Sequence, residues 1–167
     1  CGKISVCNNL VQAGIPFSLT AQHAIGPTTE SFRQDLTRFV QVCRVVRGLS
    51  GVRLGAVGAR PGAFNTVRYS EKILERSGIS VTTVDLSEFL GIANRMSGDE
   101  TEVKAKIEEI EAYANSAGVP RESMVQMAKL GIILSNWMKE NALDATAIQC
   151  WTSMQQNFGC NVCTIMS

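Results

Sequence analysis

The sequence has 167 residues, which is about the length of one domain and enough to bury a hydrophobic core. Its 16 basic and 15 acidic side chains nearly cancel, so a broad surface field that would attract nucleic acid or an anionic membrane is excluded. Its apolar runs, such as residues 130–134, are far shorter than the roughly 20 residues that cross a bilayer. We therefore expect a soluble, cytoplasmic protein with neither nucleic acid nor membrane as a partner.

Short β-branched runs alternate with amphipathic segments along the chain, which is typical of a parallel sheet covered by helices. In chain order, helices are predicted over residues 4–13, 31–47 and 66–76, from about residue 88, and over 99–117 and 121–141. Strands are predicted over residues 16–22, 52–59, 79–84, 146–150 and 162–165. We expect an α/β three-layer sandwich with a mainly parallel, Rossmann-like sheet.

No repeat, low-complexity stretch or linker interrupts the chain, so one α/β domain is expected over residues 1–167. The chain begins with Cys1 and ends behind an apolar run, which suggests a fragment of a longer multidomain protein. The predicted helix at 31–47 carries one apolar stripe that should pack on the core. Its members are Phe32, Leu36, Phe39, Val40, Cys43 and Val46.

Ligands of parallel sheets bind beyond the carboxyl ends of the strands. The loops that start at Arg60, Asp85, Gln149 and Ser167 should therefore share one rim. Asp85 and Glu88 both fall on this rim, and Asp85 also fits the start of a helix as its cap.

Three glycines, Gly55, Gly58 and Gly62, follow a predicted strand, but their spacing matches neither GxGxxG nor a P-loop. Nucleotide binding is therefore disfavoured. A loop that offers backbone N–H groups to a small polar ligand and an ordinary turn both remain open.

Cys160 and Cys163 form a CxxC pair, and zinc binding would need a second pair or a histidine cluster. His23 is the only histidine, so we expect structural, reduced thiols and no metal site, with His23 either structural or on the ligand rim. Gln149 and Trp151 flank a cysteine at the end of an apolar strand. A carboxamide can bridge sugar hydroxyls and an indole can lie on a pyranose face, although core packing is the alternative.

Three blocks of sequence resemble L-fucose isomerase-like proteins of the L-fucose and L-arabinose isomerase superfamily. They are GARPGAFNTVRYSE at residues 58–71, VDLSEF at 84–89, and AIQCW at 147–151 with CTIMS at 163–167. The resemblance extends from about Asn9 onward and implies the middle, sugar-contacting domain of a three-domain enzyme. It further implies a cytoplasmic homo-oligomer that converts an aldose to a ketose with Mn²⁺ or another divalent ion.

Such isomerisation moves a proton between adjacent carbons through an enediol, with a metal polarising the carbonyl and a carboxylate transferring the proton. The family's metal ligands, a Glu, an Asp and a His, have no counterpart here, so the resemblance implies neither catalytic residues nor a bound metal in this chain. Gln149 resembles a sugar-contacting glutamine, and the loop at 60–65 resembles one that covers the sugar. The candidate substrate-binding residues are Gln149, Trp151, Arg60, Phe64 and Asn65.

The expected function is the substrate side of an aldose–ketose isomerase for a pentose or deoxyhexose, inactive as an isolated fragment. A non-catalytic sugar-binding or sensor domain is the alternative. The loop departs from the classical enzymes, and Arg60 and Arg68 could read an anionic sugar or make surface ion pairs.

Overall fold

The computed structural model describes residues 2–166, and these divide between Leu49 and Ser50 into two compact units. The sequence predicted one domain with no boundary at this point. All strands of the described residues lie in the second unit, so the α/β architecture belongs to residues 50–166.

The first unit contains two helices, α1 (Gly2–Gln12) and α2 (Glu30–Leu49), near the helices predicted over residues 4–13 and 31–47. The strand predicted over residues 16–22 is wrong, because this segment is irregular. Side chains rather than a neighbouring strand take up its polar groups: the N–H of Ala21 donates to Oδ2 of Asp35 at 2.9 Å, and Nζ of Lys3 donates to Oγ1 of Thr20 at 2.7 Å.

The apolar stripe of α2 was predicted to pack on a core, and this prediction is wrong. Neither α1 nor α2 has a buried residue, and Phe39 in the middle of the stripe is 48% exposed. The hydrophobic periodicity correctly indicated that one face of α2 is apolar, but it does not indicate which partner covers that face.

The second unit is built on a parallel sheet of β1 (Arg53–Val57), β2 (Ser80–Val84) and β3 (Ala145–Ile148), in the order β2-β1-β3. Val57 in the central strand is in register with Val84 on one side and Ile148 on the other. This arrangement, flanked by helices, confirms the predicted α/β class with parallel strands.

Six α-helices accompany the sheet: α3 (Glu71–Arg76), α4 (Leu86–Arg95), α5 (Thr101–Tyr113), α6 (Arg121–Glu140), α7 (Ser153–Asn157) and α8 (Cys163–Met166), counted over the described part of the second unit. The helix predicted from residue 66 begins later, because Asn65–Val67 forms a 3-10 turn and Arg68 is extended. No helix within residues 2–166 has the length and hydrophobicity that crossing a membrane requires.

The strand predicted over residues 162–165 is also wrong, because α8 occupies this position. The carbonyl of Val162 accepts the N–H groups of Ile165 and Met166, both at 3.1 Å, which is a helical turn. A short β-branched run fits a strand or a buried helical turn equally well, so composition could not separate them. Ser167 lies outside the described residues.

The hydrophobic core of the second unit lies where α4 and α6 cover the sheet. Val57, Phe89, Leu130 and Met154 are among its most buried members. A second cluster joins α5 to α6, with Val103, Ile107 and Ile110 from α5 and Met124, Ala128 and Ile132 from α6. This packing fixes the strands whose carboxyl ends form the site described next.

Candidate functional site

The site begins where the three strands end. Gly58, Asp85 and Gln149 directly follow β1, β2 and β3, and the register places them side by side. The backbone continues the sheet for one step, since the N–H of Gly58 donates to the carbonyl of Val84 at 2.8 Å and the N–H of Gln149 donates to that of Val57 at 2.9 Å. The structure thus brings together the predicted rim loops that start at Arg60, Asp85 and Gln149, and the one predicted at Ser167 lies outside the described residues.

Two cavities open at this rim. The polar cavity, of about 510 Å³, is lined by Thr83, Asp85, Ser87, Glu88 and Ser153 among others. The aromatic cavity, of about 380 Å³, is lined by Arg60, Phe64, Val67, Tyr69, Cys150 and Trp151 among others. Gly58, Ala59 and Gln149 line both cavities and therefore form the ridge between them.

Gln149 is held on this ridge by the backbone of the loop after β1. Its Oε1 accepts the N–H of Ala59 at 2.8 Å. Gly58 has a φ of +77°, and a Cβ at this position would lie 2.6 Å from that same Oε1. Only glycine therefore leaves room for the carboxamide in its observed place.

Trp151 lies in the aromatic cavity against Phe64, with ring centroids 5.0 Å apart and an interplanar angle of 56°. The indole is 53% exposed, so it lies outside the core. An exposed indole packed on the half-buried Phe64, beside a carboxamide, offers an apolar face and a hydrogen-bonding group to the same ligand.

Arg60 also lines the aromatic cavity, but its guanidinium is turned back on its own loop. Nη1 donates to the carbonyl of Pro61 at 2.9 Å and to that of Gly62 at 3.1 Å. Asn65 begins the 3-10 turn, is exposed, and lines neither cavity. The structure thus gathers four of the five predicted residues and leaves Asn65 apart.

Asp85 caps α4 as predicted, since its Oδ1 accepts the N–H of Ser87 at 2.7 Å. Hydrogen bonds from Ser87, first from its side chain and then from its backbone, lower the pKa of the Asp85 carboxyl. Asp85 and Glu88 also line the polar cavity, together with the hydroxyls of Ser87 and Ser153. The sequence placed Asp85 and Glu88 on this rim, with Asp85 also as a helix cap, but gave no indication of Ser153, because a hydroxyl carries no signal until its neighbours are known.

The glycines of the loop after β1 do not form a phosphate cradle. The loop leads into the 3-10 turn at Asn65–Val67 rather than directly into a helix N-terminus, which is what such a cradle requires. A small polar ligand and an ordinary turn were both possible uses of this loop. The N–H of Ala59 is taken by Gln149, to which it donates a hydrogen bond.

The residues described do not fit a divalent metal. Across residues 2–166, no group of three or more His, Cys, Asp or Glu side chains could hold an ion. Cys160 is buried, and burial raises the pKa of its thiol to about 11, which disfavours the thiolate that a metal would need. The polar cavity brings only Asp85 and Glu88 to one place.

Comparison with known proteins connects the chain to sugar isomerases. Residues 1–50 match the family model of the fucose/sulfoquinovose isomerase N-terminal domain. This match ends where the structure divides into two units, and it is to an N-terminal domain, whereas the resemblance had implied a middle domain. For the remaining residues the middle-domain assignment stays a prediction.

Curated relatives extend the similarity beyond that boundary. Sulfoquinovose isomerases from Priestia aryabhattai and Priestia megaterium are each 23% identical over 142 residues, which is 84% of this chain and 31% of the relative. The chain thus spans about a third of the length of the curated relatives it matches. The chain is similar to sugar isomerases of the fucose/sulfoquinovose group. The family model shows this similarity over the first 50 residues, and the relatives show it over most of the chain.

Proposed function

We propose that this chain is the substrate side of a metal-dependent aldose–ketose isomerase that acts on a pentose or deoxyhexose through an enediol. One observation carries the proposal. In a chain similar to fucose/sulfoquinovose isomerases, Gln149 stands between a polar and an aromatic cavity at the carboxyl ends of parallel strands, the position where such sheets bind ligands.

The two cavities suit the two characters of a sugar. Carboxylate and hydroxyl oxygens in the polar cavity can accept from and donate to sugar hydroxyls. Trp151 and Phe64 can lie against the C–H face of the ring. In this proposal the chain binds and orients the sugar.

A divalent ion, Mn²⁺ by the resemblance, would supply polarisation of the sugar carbonyl. Residues 2–166 offer no ligand set for it. We place its carboxylate and histidine ligands, and the group that transfers the proton, in the part of the whole protein that corresponds to the rest of the relatives' length. The whole protein is proposed to be a cytoplasmic homo-oligomer.

The names of the relatives raise a second substrate, a sugar that carries a sulfonate. Arg60 is the cationic residue that lines the aromatic cavity and could meet such an anion, although its guanidinium is bound to two carbonyls of its own loop. Arg68, which follows Arg60 closely in the sequence, is exposed. Arg60→Gln would lower activity on a sulfonated sugar selectively if this substrate is the correct one.

The test is an assay of the full-length protein with Mn²⁺ on pentoses, deoxyhexoses and sulfoquinovose, with deuterium incorporation from D₂O into the product as the signature of an enediol. We expect turnover of at least one sugar, and a KM about tenfold higher for Trp151→Ala. Ile73→Ala is the matched control, because Ile73 is 63% exposed on α3 and lines neither cavity. Sugar binding without turnover would instead establish the sensor alternative.

A further inference from the structure

The carboxamide of Gln149 has two ends that the structure treats differently. Oε1 accepts the N–H of Ala59 at 2.8 Å. Nε2 makes no hydrogen bond with any residue from 2 to 166. It is not buried, so it reaches solvent. The side chain is therefore anchored by its acceptor and leaves its donor available at the ridge.

The identity of the two ends follows from chemistry. A backbone N–H can pair only with the oxygen of a carboxamide, so the contact with Ala59 fixes which end is which. If the amide were flipped, two donors would face each other across this short distance. The orientation is thus determined by the loop after β1 and not by the ligand.

Gly58 makes this anchoring sterically possible. A Cβ at Gly58 would lie 2.6 Å from Oε1 and 2.9 Å from Cβ of Gln149, and 3.2 Å from Cβ of Leu86. The glycine also has a φ of +77°, which L side chains rarely adopt. Any larger residue would displace the carboxamide or the strand end.

We propose that Gly58 and the N–H of Ala59 are positioning groups that present Nε2 of Gln149 to the ligand as a hydrogen-bond donor. The inference rests on the proposed function, because it takes the ligand to be a sugar. Nε2 then requires an oxygen lone pair at the contacted position, which a hydroxyl or carbonyl supplies and an ammonium does not. Gln149 would accordingly select a neutral oxygen over an aminodeoxy group at that carbon.

The test uses two variants of the full-length protein. Gln149→Glu keeps an oxygen for the N–H of Ala59 and replaces the donor with a second acceptor. Gln149→Met has nearly the same length and removes both hydrogen bonds. We expect Gln149→Glu to bind the neutral sugar about tenfold more weakly and an aminodeoxy analogue more tightly than the wild type does. Gln156→Glu, on the exposed surface of α7, is the charge-matched control.

A second readout needs no ligand. The amide hydrogen of Ala59 should exchange slowly with solvent in the wild type and in Gln149→Glu, and at least about tenfold faster in Gln149→Met. Unchanged exchange in Gln149→Met would overturn the anchoring.

Failure of the proposal and failure of the proposed function give different results. If Gln149→Glu binds the neutral sugar as tightly as the wild type, the donor role is overturned while sugar binding stands. If the wild type binds no sugar but Ala59 exchange depends on Gln149, the function and the donor role both fall and only the anchoring is confirmed.

Discussion

Arg53 and Asp144 exchange two hydrogen bonds where β1 and β3 begin. The backbone N–H of Arg53 donates to Oδ2 of Asp144, and the N–H of Asp144 donates to the carbonyl of Arg53, both at 2.8 Å. Asp144→Ala should lower the free energy of unfolding by about 1 kcal/mol, because the N–H of Arg53 loses its side-chain acceptor while the backbone hydrogen bond remains. Urea unfolding measures this loss. Asp99→Ala, at an exposed position before α5, is the control, and an equal loss there would contradict the assignment.

Gly55 is buried in the central strand, where a Cβ would lie 2.5 Å from Trp137 and 2.8 Å from Leu143. Gly55→Ala should destabilise the second unit by about 1–3 kcal/mol, since two core side chains must move. Gly62→Ala is the matched control, because a Cβ there meets nothing within 4 Å and its φ is not in the left-handed region. Thermal unfolding of both variants, side by side, would reveal whether the difference exists.

Asp85 should make the stability depend on pH in the acidic range. Hydrogen bonds from the side chain and backbone of Ser87 hold its pKa below the ordinary value of 3.8 in the folded state. Since the unfolded state binds the proton more readily, the stabilisation is complete above about pH 4 and is lost as pH falls through the folded pKa. Asp85→Asn keeps an acceptor for the cap without a titrating charge. The difference in stability between wild type and variant should therefore shrink below pH 4, and a difference that stays constant would refute this origin.

Cys160 should be the slow member of the CxxC pair toward alkylation. Burial raises the pKa of its thiol from 9.0 to about 11, whereas Cys163 is exposed. With a pKa of about 11 instead of 9.0, the thiolate of Cys160 is about a hundredfold scarcer at pH 8 than that of an ordinary cysteine. Mass spectrometry after timed iodoacetamide labelling should find Cys163 modified first. Equal rates in the native protein would disprove the burial, and equal rates in urea are expected.

The two units should behave differently when separated. None of the residues in α1 or α2 is buried, while the second unit holds two hydrophobic clusters. A peptide of residues 1–49 should show partial, non-cooperative helix by circular dichroism, because isolated helices are marginal in water. A fragment of residues 50–167 should unfold in a single transition. A sharp thermal transition in the shorter peptide would contradict this expectation.

The sequence predicted those helices and strands that are determined by the pattern of neighbouring residues. The β-branched run at 79–84 predicted β2 correctly, and the helix predicted over 99–117 contains α5. The failures at 16–22 and 162–165 arose because a strand exists only where a neighbour pairs with it, which a local reading cannot detect.

The candidate site, like the fold, could be predicted from the sequence only in part. Gln149, Trp151, Arg60 and Phe64 were found from strand ends and from the family resemblance, and the structure places them around one cavity. Ser153 was missed, and the use of the Gln149 oxygen by Ala59 was not foreseen, because both depend on distances between residues far apart in the chain.

The order β2-β1-β3 also has a consequence for how the chain folds. The central strand β1 pairs with β2, which is closer in sequence, whereas its contact with β3, marked by Arg53 and Asp144, spans 91 residues. Closing so long a loop costs more chain entropy than closing the shorter one between β1 and β2. Since α4, α5 and α6 occupy the interval, their packing shortens the distance that β3 has to search. We therefore expect β3 to be the last strand to join the sheet, so that the ridge at Gln149 is completed only at the end of folding.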